Sequence, residues 1–183
     1  ALTFYNNDDT PTGSRTLSMT VTDGDGGTTG GQTVVVSVTA ANDAPTLANL
    51  DAKTVAENAT ASVIDSAVTF GDVDSSDLSG GTVTVSGLDS SDVVSIATGV
   101  GHSSGAIQRS SNNVQVSDGS SWTTIGTVGT GGGTTGSGET LVITLNSAAT
   151  PTNTDALLQA LTFYNNDDTP TGSRTLSMTV TDG

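Results

Sequence analysis

Cysteine is absent from these 183 residues, aromatic side chains make up 3% of them, and only four side chains are Lys or Arg. Without cysteine there is no disulfide, no thiolate zinc site and no thiol nucleophile, a usage that suits large secreted bacterial proteins that travel unfolded. The four basic residues face 19 Asp and Glu, which gives a formal net charge of −15 and a pI near 4.1. Such a chain has no basic patch with which to neutralise a phosphate backbone, and anionic lipid headgroups repel it. Nucleic acid and direct membrane insertion are therefore not expected, and cations are the natural partners. No apolar run approaches the ~18 residues that a membrane-spanning helix requires. Scarce aromatics also mean that the core must be built from Val, Leu and Ile on many short strands, with Trp122, Phe70, Phe163 and Tyr164 as the few large fillers.

What the chain does have is repetition. Residues Ala1 to Gly24 read ALTFYNNDDTPTGSRTLSMTVTDG, and Ala160 to Gly183 repeat those 24 letters without a substitution, 159 residues further on. A fixed period of this size marks a window on a tandem array, which builds a long object from one folding solution. Gly24 continues into Asp25-Gly26-Gly27 and the run Thr33 to Thr39, so the same segment is expected after Gly183. On this reading residues 1–42 are the C-terminal strands of a preceding repeat. Residues 43–45 are an interdomain linker, and residues 46–183 are the next repeat without its last strand. One domain or two per period remain equally compatible with the length.

Alternation with period two recurs along the chain. Leu17, Met19 and Val21 face one way between Ser18 and threonines, and Val83 and Val85 alternate with Thr82, Thr84 and Ser86, the pattern of half-buried strands. Further strands are expected at Thr54 to Val55, Ser62 to Phe70, Val93 to Thr98, Asn113 to Ser117, Thr123 to Val128, Leu141 to Leu145 and Leu161 to Tyr164. Asp23 to Gly27, Ser79-Gly80-Gly81, Ser117-Asp118-Gly119 and Gly129 to Gly138 supply turn chemistry, the last as a long hairpin tip. One helix is expected, over Asn153 to Leu161, with Leu157 or Leu158 in the core. Many strands with short turns indicate an all-β sandwich.

Three acidic clusters fall at strand ends: Asn42-Asp43-Ala44-Pro45, Asp72-Val73-Asp74 with Asp77, and Thr22-Asp23-Gly24-Asp25, which recurs as Thr181-Asp182-Gly183. Calcium takes about six to eight oxygen ligands in flexible geometry, and carboxylates alternating in a tight loop can converge on one ion. Taken singly, an Asp-Gly pair at a strand end is more often a turn than a ligand.

The order of these motifs resembles the bacterial cadherin-like tandem repeats of giant surface adhesins. Thr54-Val55-Ala56-Glu57-Asn58-Ala59 looks like the glutamate-containing first strand of cadherins, Asp72-Val73-Asp74 like their DxD loop, and Thr181-Asp182-Gly183 like the ending of the penultimate strand. Asn42-Asp43-Ala44-Pro45 resembles the interdomain linker. The resemblance implies a cadherin/Ig-like Greek-key β-sandwich with inserted hairpins and one short helix. It also implies Ca2+ at domain junctions, with Asn42, Asp43, Asp72, Asp74 and Asp182 at the junction present here, Glu57 serving the next one, and Asp23 and Asp25 repeating the role of Asp182. The family's DRE motif is missing, with Tyr164-Asn165-Asn166-Asp167-Asp168 in its place, and the period is longer by extra hairpins within Asp89 to Ala149.

The function expected from these features is that of a non-enzymatic, calcium-stiffened extender in a long extracellular bacterial adhesin or surface filament, partnered by neighbouring copies of the same repeat. Two alternatives stay open: a module whose loops 99–138 bind glycans or other cell surfaces, and a filament or sheath subunit that packs laterally. His102 sits among serines without a nucleophile elbow or an orienting carboxylate. Trp122 is read as a core or hairpin-packing residue before a sugar-stacking one.

Overall fold

The computed structural model describes residues 1–129 and 138–183, so the expected Gly129 to Gly138 hairpin tip lies largely outside the described residues. The chain divides into two compact units, Ala1–Asp43 and Ala44–Gly183.

In the first unit, β1 (Ser14–Met19) pairs antiparallel with β2 (Gln32–Ser37), Leu17 opposite Val34 and Arg15 opposite Val36. The turn between them is folded by Asp23, whose Oδ1 accepts the backbone N–H groups of Asp25 at 3.0 Å and Gly27 at 2.9 Å. Within this unit the pair has no second sheet among the described residues. Leu17, Met19 and Val21 are therefore 39%, 48% and 60% exposed despite their strand alternation.

The second unit begins with β3 (Thr46–Ala48), β4 (Ser62–Val63), β5 (Thr69–Gly71), β6 (Thr82–Ser86) and β7 (Asp92–Ile96). It continues with β8 (Ile107–Ser110), β9 (Asn113–Ser117), β10 (Trp122–Val128), β11 (Leu141–Leu145), α1 (Pro151–Gln159), β12 (Leu161–Asn165) and β13 (Ser177–Val180). A six-stranded antiparallel sheet runs β13-β6-β11-β10-β9-β8, a three-stranded sheet runs β4-β12-β7, and β3 pairs with β5. The fold is an all-β sandwich carrying one short helix. Its inner faces supply one core: Val83, Val85, Val114, Ile125, Leu141 and Ile143 from the large sheet meet Val94, Ile96 and Leu161 from the small one. Among the described residues the largest fully buried side chains are aliphatic, and Phe70 and Phe163 pack partly buried against that core.

Several expected elements shift for identifiable reasons. The helix starts earlier, at Pro151, because Thr150 is its cap and accepts the Asn153 N–H at 3.2 Å, while proline tolerates the first turn. It ends at Gln159 because Leu161 belongs to β12; both Leu157 and Leu158 are fully buried. The single strand expected over Ser62 to Phe70 is two, separated where Asp65 turns the backbone by accepting the N–H of Ala67 at 2.7 Å. Thr54 and Val55 form no strand, for they have no partner to pair with among the described residues. β8 was not anticipated, since only Ile107 of its four residues carries an apolar signal.

The duplicated segment separates local from tertiary causes. Arg15 donates through Nη1 to the carbonyls of Thr12 and Gly13, and Arg174 does the same to Thr171 and Gly172, so this loop clamp is written locally. Leu2 is 82% exposed and lies in no strand, whereas its copy Leu161 is fully buried in β12. Strand formation in Leu-Thr-Phe-Tyr is thus imposed by β4 and β7, which only the second copy has beside it.

Candidate functional site

The expected ion-binding residues lie in several places. In the second unit Asp72 folds its own loop: Oδ1 accepts the N–H of Ser75 at 3.1 Å and of Asp74 at 3.4 Å. Among the described residues its other oxygen, Oδ2, is buried without a hydrogen-bond partner. A shielded carboxylate oxygen without a donor is costly, and a cation is one way to compensate it. The loop continues through Asp77, which accepts the Ser79 N–H at 3.1 Å, into the Ser79–Gly81 turn. Thr181 to Gly183 pack against that turn: a Cβ on Gly81 would collide with the Thr181 carbonyl. The DxD loop and the half-buried Asp182 therefore belong to one end of the sandwich.

The remaining candidates sit apart. Glu57 is exposed in a turn whose Asn58 N–H donates to the Asn165 carbonyl at 2.8 Å. Asp23 and Asp25 occupy the exposed β1–β2 turn, and Asn42 donates to the Asp43 carbonyl at 3.4 Å at the close of the first unit. Among the described residues, no group of three or more Asp, Glu, His or Cys side chains is gathered as a cage. Asp72 and Asp74 bring two carboxylates to one loop, short of such a group.

A second feature gave no sequence signal. A groove of about 570 Å³ is lined by Ser173 to Leu176 and Met178 together with Leu50 to Val55 and Glu57. Asp92, which also lines it and is 1% exposed, accepts from Asn165 Nδ2 at 2.7 Å, from the Asp89 N–H at 2.7 Å and from Arg174 Nε at 3.0 Å. Arg174 Nε also lies 3.2 Å from the exposed Asp89. Both Asp92 oxygens are committed to donors, so the cluster orders the groove instead of offering a base.

Two exposed-loop aspartates are held below the ordinary carboxylate range by backbone donors: Asp65 by the N–H groups of Asp51 and then Ala67, Asp118 by those of Ser121 and then Ser120. Trp122 is half-buried and tilts against His102 with ring centroids 4.8 Å apart, a packing contact between the start of β10 and the loop that carries His102. No helix among the described residues is long and apolar enough to cross a membrane.

What fold and site define together is a class, an all-β sandwich with an acidic loop at one end and an open groove beside an edge strand. Comparison with protein-family models, with curated proteins and with solved structures finds no match.

Proposed function

We propose that this chain is a calcium-stiffened extender repeat, part of a long extracellular bacterial adhesin or surface filament. The observation that carries the reading is the Asp72 loop, which is folded by one carboxylate oxygen and leaves the other buried without a donor. The perfect 24-residue duplication supports the tandem-array part of the proposal. Asp72 and Asp74 would hold the ion, with water and backbone oxygen completing the six to eight ligands that calcium takes. The linker residues Asn42 and Asp43, together with Asp182, enter on the resemblance to cadherin-like repeats.

Calcium would supply charge neutralisation. In a chain of net charge −15, clustered carboxylates repel one another, and a divalent ion converts that repulsion into attraction. Successive repeats then hold a fixed angle, and length follows from repeat number. The Greek-key, cadherin-like connection of the sandwich is part of the same proposal. Small-angle scattering from two joined repeats tests it: calcium should give one well-defined maximum dimension and EDTA a broader, flexing ensemble. Equal profiles in both conditions, or a response that survives Asp72→Asn with Asp74→Asn, would refute the stiffening role.

A further inference from the structure

Register decides which side chains leave the six-stranded sheet on its solvent side. Val83, Val114, Ile125 and Ile143 point into the core, so the residues that alternate with them along each strand point outward, a bulge between Thr124 and Gly126 included. These outward strand positions hold Thr, Ser, Asn and Gln, with one Val and Trp122, and no charged side chain stands among them. In a chain of net charge −15 this is a neutral face. Its aromatic corner lies on β8, β9 and β10, at the opposite edge of the sheet from β13.

At that corner Trp122 is opposite Ser117, Thr124 opposite Gln115 and Gln115 opposite Gln108, so the side chains form one patch. Diagonal neighbours in an antiparallel pair are about 7–8 Å apart, within reach of long side chains, which brings Gln115 beside the indole. Gln108 Nε2 donates to Gln115 Oε1 at 3.1 Å. The bond fixes the two amides and leaves Gln115 Nε2 as a donor and Gln108 Oε1 as an acceptor, neither with another hydrogen-bond partner among the described residues. His102 packs on the indole with the ring planes 48° apart. Its loop is anchored behind it: the Gly105 N–H donates to the Ser117 carbonyl at 2.8 Å, and the Ser117 N–H to the Ala106 carbonyl at 2.9 Å. The only tryptophan and the only histidine are thus held together at the surface, outside the core cluster.

We propose that this patch binds a neutral glycan built of hexopyranose units. A pyranose ring has an apolar C–H face that stacks on an indole, and a rim of hydroxyls, each donor and acceptor at once, that suits a fixed amide pair. Thr124, half-buried beside them, adds a hydroxyl of the same kind. A charged partner fits less well. The outward strand positions offer no counter-charge, the net charge repels anions, and Asp118 in the adjoining turn spends Oδ1 on the Ser120 and Ser121 N–H groups, both at 2.7 Å. A second copy of this chain fits less well too, because stable interfaces have apolar cores and this face sets one aromatic ring among hydroxyls and amides. The inference goes beyond the extender reading and needs neither calcium nor a tandem arrangement, so it stands or falls separately in EDTA.

A nuclear magnetic resonance titration of the full chain in EDTA tests it, with cellotetraose, maltotetraose, mannotetraose and the N-acetylglucosamine tetramer each raised to about 10 mM, enough to register millimolar affinity. At least one should saturably shift the Trp122 indole N–H and the amides of Gln108, Gln115 and Thr124. Thr84, outward on β6 of the same sheet, should stay unmoved. Gln108→Ala combined with Gln115→Ala should weaken that binding about tenfold, because it removes the hydrogen-bonding pair and leaves the stack. Trp122→Ala should abolish it, and Trp122→Tyr, which keeps an aromatic face, should recover a measurable part. The buried Val94 amide reports whether each variant is folded. No saturable shift with any of the four sugars, shifts centred elsewhere, or a double glutamine variant that binds like wild type would each overturn the proposal. So would shifts of the same residues with protein concentration alone, which would assign the face to self-association.

Discussion

Arg174→Met is the perturbation whose consequence the structure fixes most sharply, because the chain carries its own control. Arg174 Nε meets Asp92, which is almost fully buried, and removal of the guanidinium leaves that carboxylate with the Asn165 and Asp89 donors alone. Breaking a buried ion pair from one side costs about 3–5 kcal/mol, and the two remaining donors place this case near about 3. The exposed Asp89 contact adds little, as surface pairs do. For a domain near this size about 3 kcal/mol corresponds to a fall of roughly 6–12 °C in melting temperature. Arg15→Met removes the same side chain from the same 24 letters, but there it makes only the loop bonds to Thr12 and Gly13. Its expected effect on the second unit is within about 0.5 kcal/mol. Trp122, the only tryptophan, reports on the second unit in a fluorescence melt. Equal shifts for the two variants would refute the assignment of the buried pair.

Three further outcomes follow from named contacts. Leu161→Ala should destabilise the second unit by about 2–5 kcal/mol in a denaturant titration, and Leu2→Ala, the same position of the duplicated segment, should do nothing measurable there. Gly81→Ala should loosen β13 from β6, because the added methyl meets the Thr181 carbonyl; faster amide exchange at Thr181 with exchange at Val94 unchanged would show it. The Asp65 carboxyl titrates below its ordinary value of 3.8 in the folded state, so its stabilisation is full above that value and disappears as pH falls through the lowered one. Asp65→Asn should accordingly melt below wild type at pH 7, with the gap closing as pH is taken below 3.8 and through the lowered value.

The parts of the fold legible in sequence were those whose cause is local. Period-two alternation located β6, β9 and β11, and the Asp23 and Asp118 turns carry their own acceptors for backbone N–H groups. What escaped depends on partners distant in the chain. Leu-Thr-Phe-Tyr has one sequence and two structures, so no local rule could assign it, and Thr54 to Val55 reads as a strand only if something pairs with it. The Val, Leu and Ile core was legible from composition, and Phe70 and Phe163 pack partly buried against it. Of the acidic candidates, the Asp72 turn could be read from Asp-x-Asp spacing, but the Asp92, Asn165 and Arg174 cluster joins three separate stretches that carry no shared motif.

Calcium binding at the Asp72 loop, as proposed, should register in a thermal melt of the full chain followed at Trp122. Extracellular calcium modules bind at about 0.1–1 mM, so 10 mM calcium should stabilise the second unit by about 1.4–2.7 kcal/mol relative to EDTA. Asp72→Asn should abolish the shift, and 10 mM magnesium should not reproduce it. Superimposable melts in calcium and EDTA, or a calcium shift of equal size in Asp72→Asn, would contradict the account.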